Sequence, residues 1–292
     1  MTYLSSTLSQ EIQGAFLNFV EGKPHPEIKP KHRLLEASPT VRGDFLEKVN
    51  VGTVIPHRAS IKRFTENGLI LTNGTELEVD TVISCTGYHI DYPYLPLDSY
   101  RDADNETIDR SNSINLYQLI VSPNYRNLFF IGLPEAPGPG GPVYESQARW
   151  SVAVLSGAIT LPQPEEMKRW IQIFSATQAR KFVHSPRHTT LMESNVSYMD
   201  QLTKPLNANP SFSRLIRATL TSNPLRAFST LNSVYLGITS SCQFRLFGDG
   251  ACPELAVATI ARISSGKKEL SKGEQLALQK LKAELDSMVD DV

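Results

Sequence analysis

No Gly-x-Gly-x-x-Gly run occurs in the 292 residues. Such a loop aims backbone N–H groups at a pyrophosphate from a helix N-terminus, so its absence excludes a self-contained cradle for dinucleotide phosphates. Gly138-Pro139-Gly140 is no substitute, because proline removes one N–H group and position 143 is not glycine. Cys85, Cys242 and Cys252 are odd in number and form no Cys-x-x-Cys. A disulfide framework or zinc ribbon is thereby excluded. The formal net charge is only -1, too weak a field to suggest nucleic acid or an anionic membrane. No apolar stretch approaches the ~20 residues of a membrane-spanning helix. Met1–Ser6 has neither the basic start nor the apolar run of a signal peptide. The reducing cytoplasm is the expected compartment, and the glycosylation-type triplets at Asn73, Asn105 and Asn195 are read as chance.

Familiar hydrolytic and metal constellations are missing too. No serine stands in a Gly-x-Ser-x-Gly elbow. His184 and His188 have the i, i+4 spacing of a metal pair, but Pro186 between them argues against the helix that pair needs. They are read as surface histidines, and no metal site is expected. Cys85 is read as a small core residue, not a nucleophile.

What is present is two kinds of periodicity. The length allows one large domain or two smaller ones. Leu8, Ile12, Phe16, Phe19 and Val20 recur at helical spacing before Gly22. Pro24, Pro26 and Pro30 then enforce an extended connector. Val51–Ile55, Ile61–Phe64, Leu69–Thr72 and Val82–Ser84 read as short strands. Asn67-Gly68 and Asn73-Gly74 supply hairpin turns, so a β-meander is predicted. Thr81–Ser84 alternates weakly and is predicted to be a buried parallel strand. Residues 91–122 are polar and mixed, with an acidic patch at Asp102, Asp104 and Glu106. A second buried strand is predicted at Leu128–Ile131. A Pro/Gly loop follows to Pro142, then a helix from near Tyr144 or Glu145 with Trp150, Val154 and Leu155 on its apolar face and Ala158 continuing it.

Further helices are predicted from Pro164, with Met167, Trp170, Ile171 and Phe174 inward, and over Tyr198–Lys204, Phe212–Thr219, Leu225–Tyr235 and Glu254–Ile263. Ser271-Lys272-Gly273-Glu274 has the form of a capping box opening a last helix.

Four ordered segments resemble the flavin-containing monooxygenases. Val79-Asp80-Thr81-Val82-Ile83-Ser84-Cys85-Thr86-Gly87-Tyr88 is similar to the segment that leaves their nicotinamide-nucleotide domain. Pro30-Lys31-His32 and Asp44-Phe45-Leu46, leading into Gly52-Thr53-Val54, resemble the run before their meander. Asn127-Leu128-Phe129-Phe130-Ile131-Gly132-Leu133, followed by Glu145, Gln147, Ala148, Arg149 and Trp150, resembles the strand, loop and helix start beside the FAD ring. Gln243-Phe244-Arg245-Leu246 with Gly248 and Gly250 resembles a fourth element, without the tryptophan usual after it. The resemblance covers most of residues 30–262. The family's FAD loop, NADPH loop and Phe-x-Gly-x-x-x-His fingerprint are absent.

The resemblance implies an α/β fold, part of a flavoprotein built from two dinucleotide-binding domains, with a β-meander and C-terminal helices. Residues 1–87 would be the end of the NADPH-binding domain, 88–262 the C-terminal portion of the FAD-binding domain, and 263–292 a helical tail. Pro137, Gly138, Gly140 and Gly141 would line the flavin, Glu145 and Gln147 would fix the loop, and Thr86 and Gly87 would lie at the cofactor. Arg149 and Trp150 are read as helix-packing residues. The implied activity uses FAD and NADPH to oxygenate soft nitrogen or sulfur nucleophiles through a flavin hydroperoxide, on a small-molecule substrate. No catalytic residue stands out.

The chain is expected to be incomplete, inactive alone, loose in its hold on FAD, and self-associating through uncovered sheet surface. Two alternatives stay open: a truncated, non-catalytic protein-interaction remnant, and a Baeyer–Villiger type monooxygenase.

Overall fold

The computed structural model describes residues 25–32, 36–37, 43–88, 90–101, 114–135, 138–183, 190, 192, 194–221, 224–267 and 269–290. The helix expected around Leu8–Val20, the acidic patch, His184, His188 and Pro137 lie outside the described residues. The chain divides into two compact units, Met1–Asp91 with Lys181–His184, and Tyr92–Arg180 with Ser185–Val292.

The first unit holds a short helix and a small sheet. Helix α1 spans Phe45–Asn50, with Lys48 paired to Asp44 at 2.9 Å one turn away. It ends where Gly52 takes φ +80°, so Val51–Ile55 forms a turn and an irregular connection and not the predicted strand. The i, i+4 pair and the glycine stop outweigh the β-branched residues that follow.

A meander forms from two of the four predicted runs, near Ile61 and Leu69, joined by a third strand at Glu76–Glu78 that was not predicted. Strands β1 (Ile61–Thr65), β2 (Gly68–Leu71) and β3 (Glu76–Glu78) pair antiparallel in the order β1-β2-β3. Thr65 faces Gly68 across the first hairpin. Gly68 is therefore the first residue of β2, where an added Cβ would come 1.9 Å from Leu77 O. In the second turn Gly74 has φ +87°, and Asn73 Oδ1 accepts from Thr75 N–H at 3.1 Å. Leu69 and Leu71 are buried while β1 is exposed throughout, so the sheet has one covered face.

Thr81–Ser84 is the clearest departure from the sequence reading. Residues 81–88 form no regular structure, and Val82, Ile83 and Tyr88 are 46%, 81% and 93% exposed. Cys85 is exposed too, so it is not a core residue. A parallel strand needs neighbours on both edges and cover on both faces, and no strand pairs with this segment among the described residues.

The second unit is mostly helical: α2 (Gly140–Leu155), α3 (Pro164–Lys181), α4 (Asn195–Thr203), α5 (Phe212–Thr221), α6 (Pro224–Leu236), α7 (Pro253–Ser264) and α8 (Lys272–Asp290). Among the described residues, 3-10 turns occupy Leu97–Ser99 and Ser241–Arg245. Helix α2 starts earlier than predicted, because Gly140, Gly141 and Pro142 fit a first turn. It stops at Leu155, so Ala158 does not continue it, and Leu155 is exposed, not inward.

The main core joins Trp150 and Val143 of α2, Met167 of α3, Tyr198, Met199 and Leu202 of α4, and Leu119, Ile120, Val121 and Phe244. Each such large apolar side chain, fully buried, contributes about 1.5–3 kcal/mol. Trp170 and Phe174, one turn apart on α3, stack at 4.9 Å, and the Tyr117 ring meets Trp170 edge-on at 5.4 Å. Leu128–Ile131 forms a single bridge, Val121 to Phe129, and not a strand. Phe130 is buried and donates its N–H to Ile120 O at 2.7 Å, while Ile131 is exposed. A second core, Leu215, Leu246, Ala256 and Ile260, gathers α5, α7 and the segment after the second 3-10 turn.

Candidate cofactor site

Helix α2 begins at Gly140 after Pro139, with no side-chain cap and no acidic residue in its first turn. Its first N–H groups are thus left to other partners, at the positive end of the helix dipole. The approach to the helix is glycine-rich for geometric reasons. Gly138 has φ +109°, a conformation only glycine adopts freely, and an added Cβ would meet Asn195 Nδ2 at 3.2 Å. A Cβ on Gly140 would strike the Tyr144 ring at 2.7–2.8 Å. Gly141 faces open space, with nothing within 4 Å of a built Cβ.

The loop before α2 is held at Gly132 and Glu135. Gly132, at φ +94°, donates its N–H to Gln147 Oε1 at 2.9 Å. Glu135 donates to Thr190 O and accepts from Met192 N–H, at 2.9 and 3.1 Å. Gln147 is fully buried, and its Nε2 donates to Tyr198 Oη at 2.8 Å and to Leu119 O at 3.4 Å. Tyr198 Oη in turn donates to Gln118 O. Burial raises the Tyr198 phenol well above its ordinary pKa, against the opposing hydrogen bond from Gln147, so the hydroxyl keeps its proton. Gln118 and Leu119 are buried with φ of 55° and 56°. Left-handed backbone at such residues costs roughly 1–2 kcal/mol each. Gln118 Oε1 is also buried without a partner.

Glu145 is paired across the unit with Arg245. It accepts from Arg245 Nε at 2.7 Å and is also paired with Arg245 Nη2. Arg149 Nη1 donates to Phe244 O and Nη2 to Asp249 O, both at 2.7 Å. Arg245 Nη1 reaches Gly250 O at 3.0 Å. Burial, then the nearby Arg245, lowers the Arg149 pKa, against Glu145 and Asp249. The Glu145–Arg149 face of α2 and the 243–250 segment are therefore one cluster, although they lie 100 residues apart. Trp150 packs in the core at 5% exposure.

Of the residues expected at the site, Gly138, Gly140, Gly141, Glu145 and Gln147 share this corner of the second unit, with Gln147 on the loop and Glu145 on Arg245. Thr86 and Gly87 lie in the first unit, exposed, with Gly87 at φ +86°. Tyr198, Asn195 and the Gln118–Leu119 turn were not read as site residues from the sequence. Their contacts span tens of residues, and no local pattern marks them. The Arg245 pairing had a signal, since its motif and that of Glu145 both stood out with opposite charges.

A sequence profile described as flavin-binding monooxygenase-like matches residues 2–284. The chain belongs to that family. It is 29% identical over 85% of its length to flavin-containing monooxygenase 5 of Cavia porcellus, covering 44% of that protein. It is 32% identical over 76% of its length to flavin-containing monooxygenase 5 of Oryctolagus cuniculus, covering 39% of it. Among solved structures it is similar to S-allyl-L-cysteine S-oxygenase from Allium sativum, with a TM-score of 0.43 and 23% identity over 70% of this chain and 43% of that one. The chain thus spans less than half the length of these curated relatives.

Proposed function

We propose that this chain is the part of an FAD- and NADPH-dependent monooxygenase that shapes the surroundings of the flavin ring. Residues 1–87 would close the NADPH-binding domain, 88–262 would complete the FAD-binding domain, and 263–292 would form a helical tail. The observation that carries this reading is the uncapped, glycine-rich start of α2, reached through a loop held at Gly132 and Glu135. A flat, electron-rich ring suits that corner. Gly138 removes side-chain bulk, Gly141 opens onto free space, and the first N–H groups of α2 favour negative charge on the ring's pyrimidine edge. Bound flavin supplies the electrons and the oxygen-activating chemistry, and the oxygenated substrate would be a small molecule with a soft nitrogen or sulfur nucleophile. The residues present fit the ring and not the pyrophosphate, since no glycine phosphate loop exists in the chain.

Lumiflavin, the ring without phosphates, tests this reading. Amide NMR on the chain should show shifts at Gly138, Gly140 and Gly141. Saturating lumiflavin that leaves those amides unmoved would overturn it.

A second reading is favoured by two observations, the missing phosphate loops and the exposed Val82–Tyr88 segment. In it the chain is a non-catalytic remnant that acts through protein contacts. Binding of lumiflavin at Gly138–Gly141 would count against it.

A further inference from the structure

Gln118 and Leu119 hold consecutive left-handed conformations, although neither is glycine and both are buried. Such a pair persists only where its surroundings over-determine it. Each carbonyl of the pair is gripped by a side chain from another element, Gln118 O by the Tyr198 hydroxyl on α4 and Leu119 O by Gln147 Nε2 on α2. The other end of the same amide, Gln147 Oε1, holds Gly132 N–H at 2.9 Å. The hydrogen bonds therefore form one line from α4 through α2 to two loops, buried except at its part-buried Gly132 end.

Proton counting sets the direction of that line. Tyr198 has one hydroxyl hydrogen and gives it to Gln118 O. Its oxygen must then accept from Gln147, which turns the amide NH2 toward Tyr198 and the amide oxygen toward Gly132. The flipped amide would set its NH2 against Gly132 N–H, donor against donor.

We propose that Tyr198 is a positioning residue. By orienting the Gln147 amide it presets Gly132, and with it the loop leading to α2, before any ligand arrives. The relevance to flavin rests on the assignment of that loop made above; the relay itself does not.

Hydrogen exchange on the intact chain tests the relay. Tyr198→Phe deletes the hydroxyl and keeps the ring in the core. Amides at Gly132 and over 118–121 should then exchange at least about tenfold faster, while those of α7 in the second core keep their wild-type protection. Equal acceleration in α7, or unchanged exchange at Gly132, would overturn the proposal. Gln147→Glu gives an independent check if the first variant does not fold. As a carboxylate it keeps an acceptor for Gly132 N–H on either oxygen and loses the donors to Leu119 O and Tyr198 Oη, so Gly132 should stay protected while 118–121 loosens. Loss of protection at both would overturn the directed relay. Failure of lumiflavin to shift the wild-type glycine amides would remove the flavin assignment without touching the exchange result, so the two failures are distinguishable.

Discussion

Glu274 concentrates more polar contacts than any motif-based reading of it would suggest. Fully buried at the start of α8, its carboxylate accepts from Arg262 Nε, Ser271 N–H and Ser271 Oγ at 2.8 Å each, and from Thr259 Oγ1 at 3.0 Å. Ser271 Oγ accepts from Glu274 N–H in return at 3.2 Å, which completes the capping box foreseen from Ser271 and Glu274. Burial alone would raise this carboxyl. The hydrogen bonds from Arg262, Ser271 and Thr259 outweigh it and pull the pKa from 4.5 to about 2. A carboxyl depressed on folding stabilises the folded state above its unfolded pKa and loses that contribution as pH falls through the folded one. Thermal stability should therefore drop on acidification between 4.5 and about 2, and Glu274→Gln should flatten that part of the profile. At neutral pH Glu274→Ala should lower stability by roughly 3 kcal/mol in urea unfolding, because Arg262 is left without its buried partner. A loss under about 0.5 kcal/mol would show the cluster to be dispensable.

Arg245 makes a comparable claim on the cluster around α2. Its fork grips Glu145 and reaches Gly250 O, a geometry that lysine cannot reproduce. Arg245→Lys and Arg245→Met should each destabilise by about 1–3 kcal/mol. Full recovery with lysine would mean that charge alone matters there.

At the scale of elements, the glycines leading into α2 separate by position. Gly138 is strained for any side chain by its φ of +109°, whereas Gly141 has room for one. Gly138→Ala should cost about 1 kcal/mol or more. Gly141→Ala should be neutral or stabilising by up to about 0.5 kcal/mol, since it adds helix propensity without a clash. Calorimetry on both variants decides, and a reversed order would contradict the loop geometry. In the sheet, Gly68→Ala should weaken the β2–β3 pairing by about 1–3 kcal/mol, because its Cβ would drive into Leu77 O. The same chain segment shows how turn chemistry was readable and its exact seat was not. Asn73-Gly74 sits in its turn, while Asn67-Gly68 is shifted so that the glycine opens a strand.

For the whole molecule, the missing phosphate loops and the exposed 81–88 segment lead to two expectations. Purified alone, the chain should elute from gel filtration without bound FAD and should not oxidise NADPH, as a spectrum of the eluted protein would reveal. It should also associate as concentration rises, through Val82, Ile83 and Tyr88. Light scattering should show Ile83→Lys shifting the distribution toward monomer. A wild-type chain that stays monomeric at high concentration would refute that surface as the cause.

Helix periodicity, the Pro164 start, the Ser271–Glu274 cap and the Asn-Gly turns act over a few residues, so the sequence alone determined the helices of the second unit and the first hairpin of the meander, but not its third strand. The ordered motifs from Pro30 to Gly250 likewise determined the family. Contacts between distant residues did not follow from it. Whether Val82–Ser84 became a strand depended on neighbours it lacks among the described residues. The pairing of Glu145 with Arg245 and the line from Tyr198 through Gln147 to Gly132 arise only when α2 packs against α4 and the 243–250 segment. Hydrogen bonds and buried charges are decided by which groups packing brings within about 3 Å, and that distance is a property of the tertiary structure.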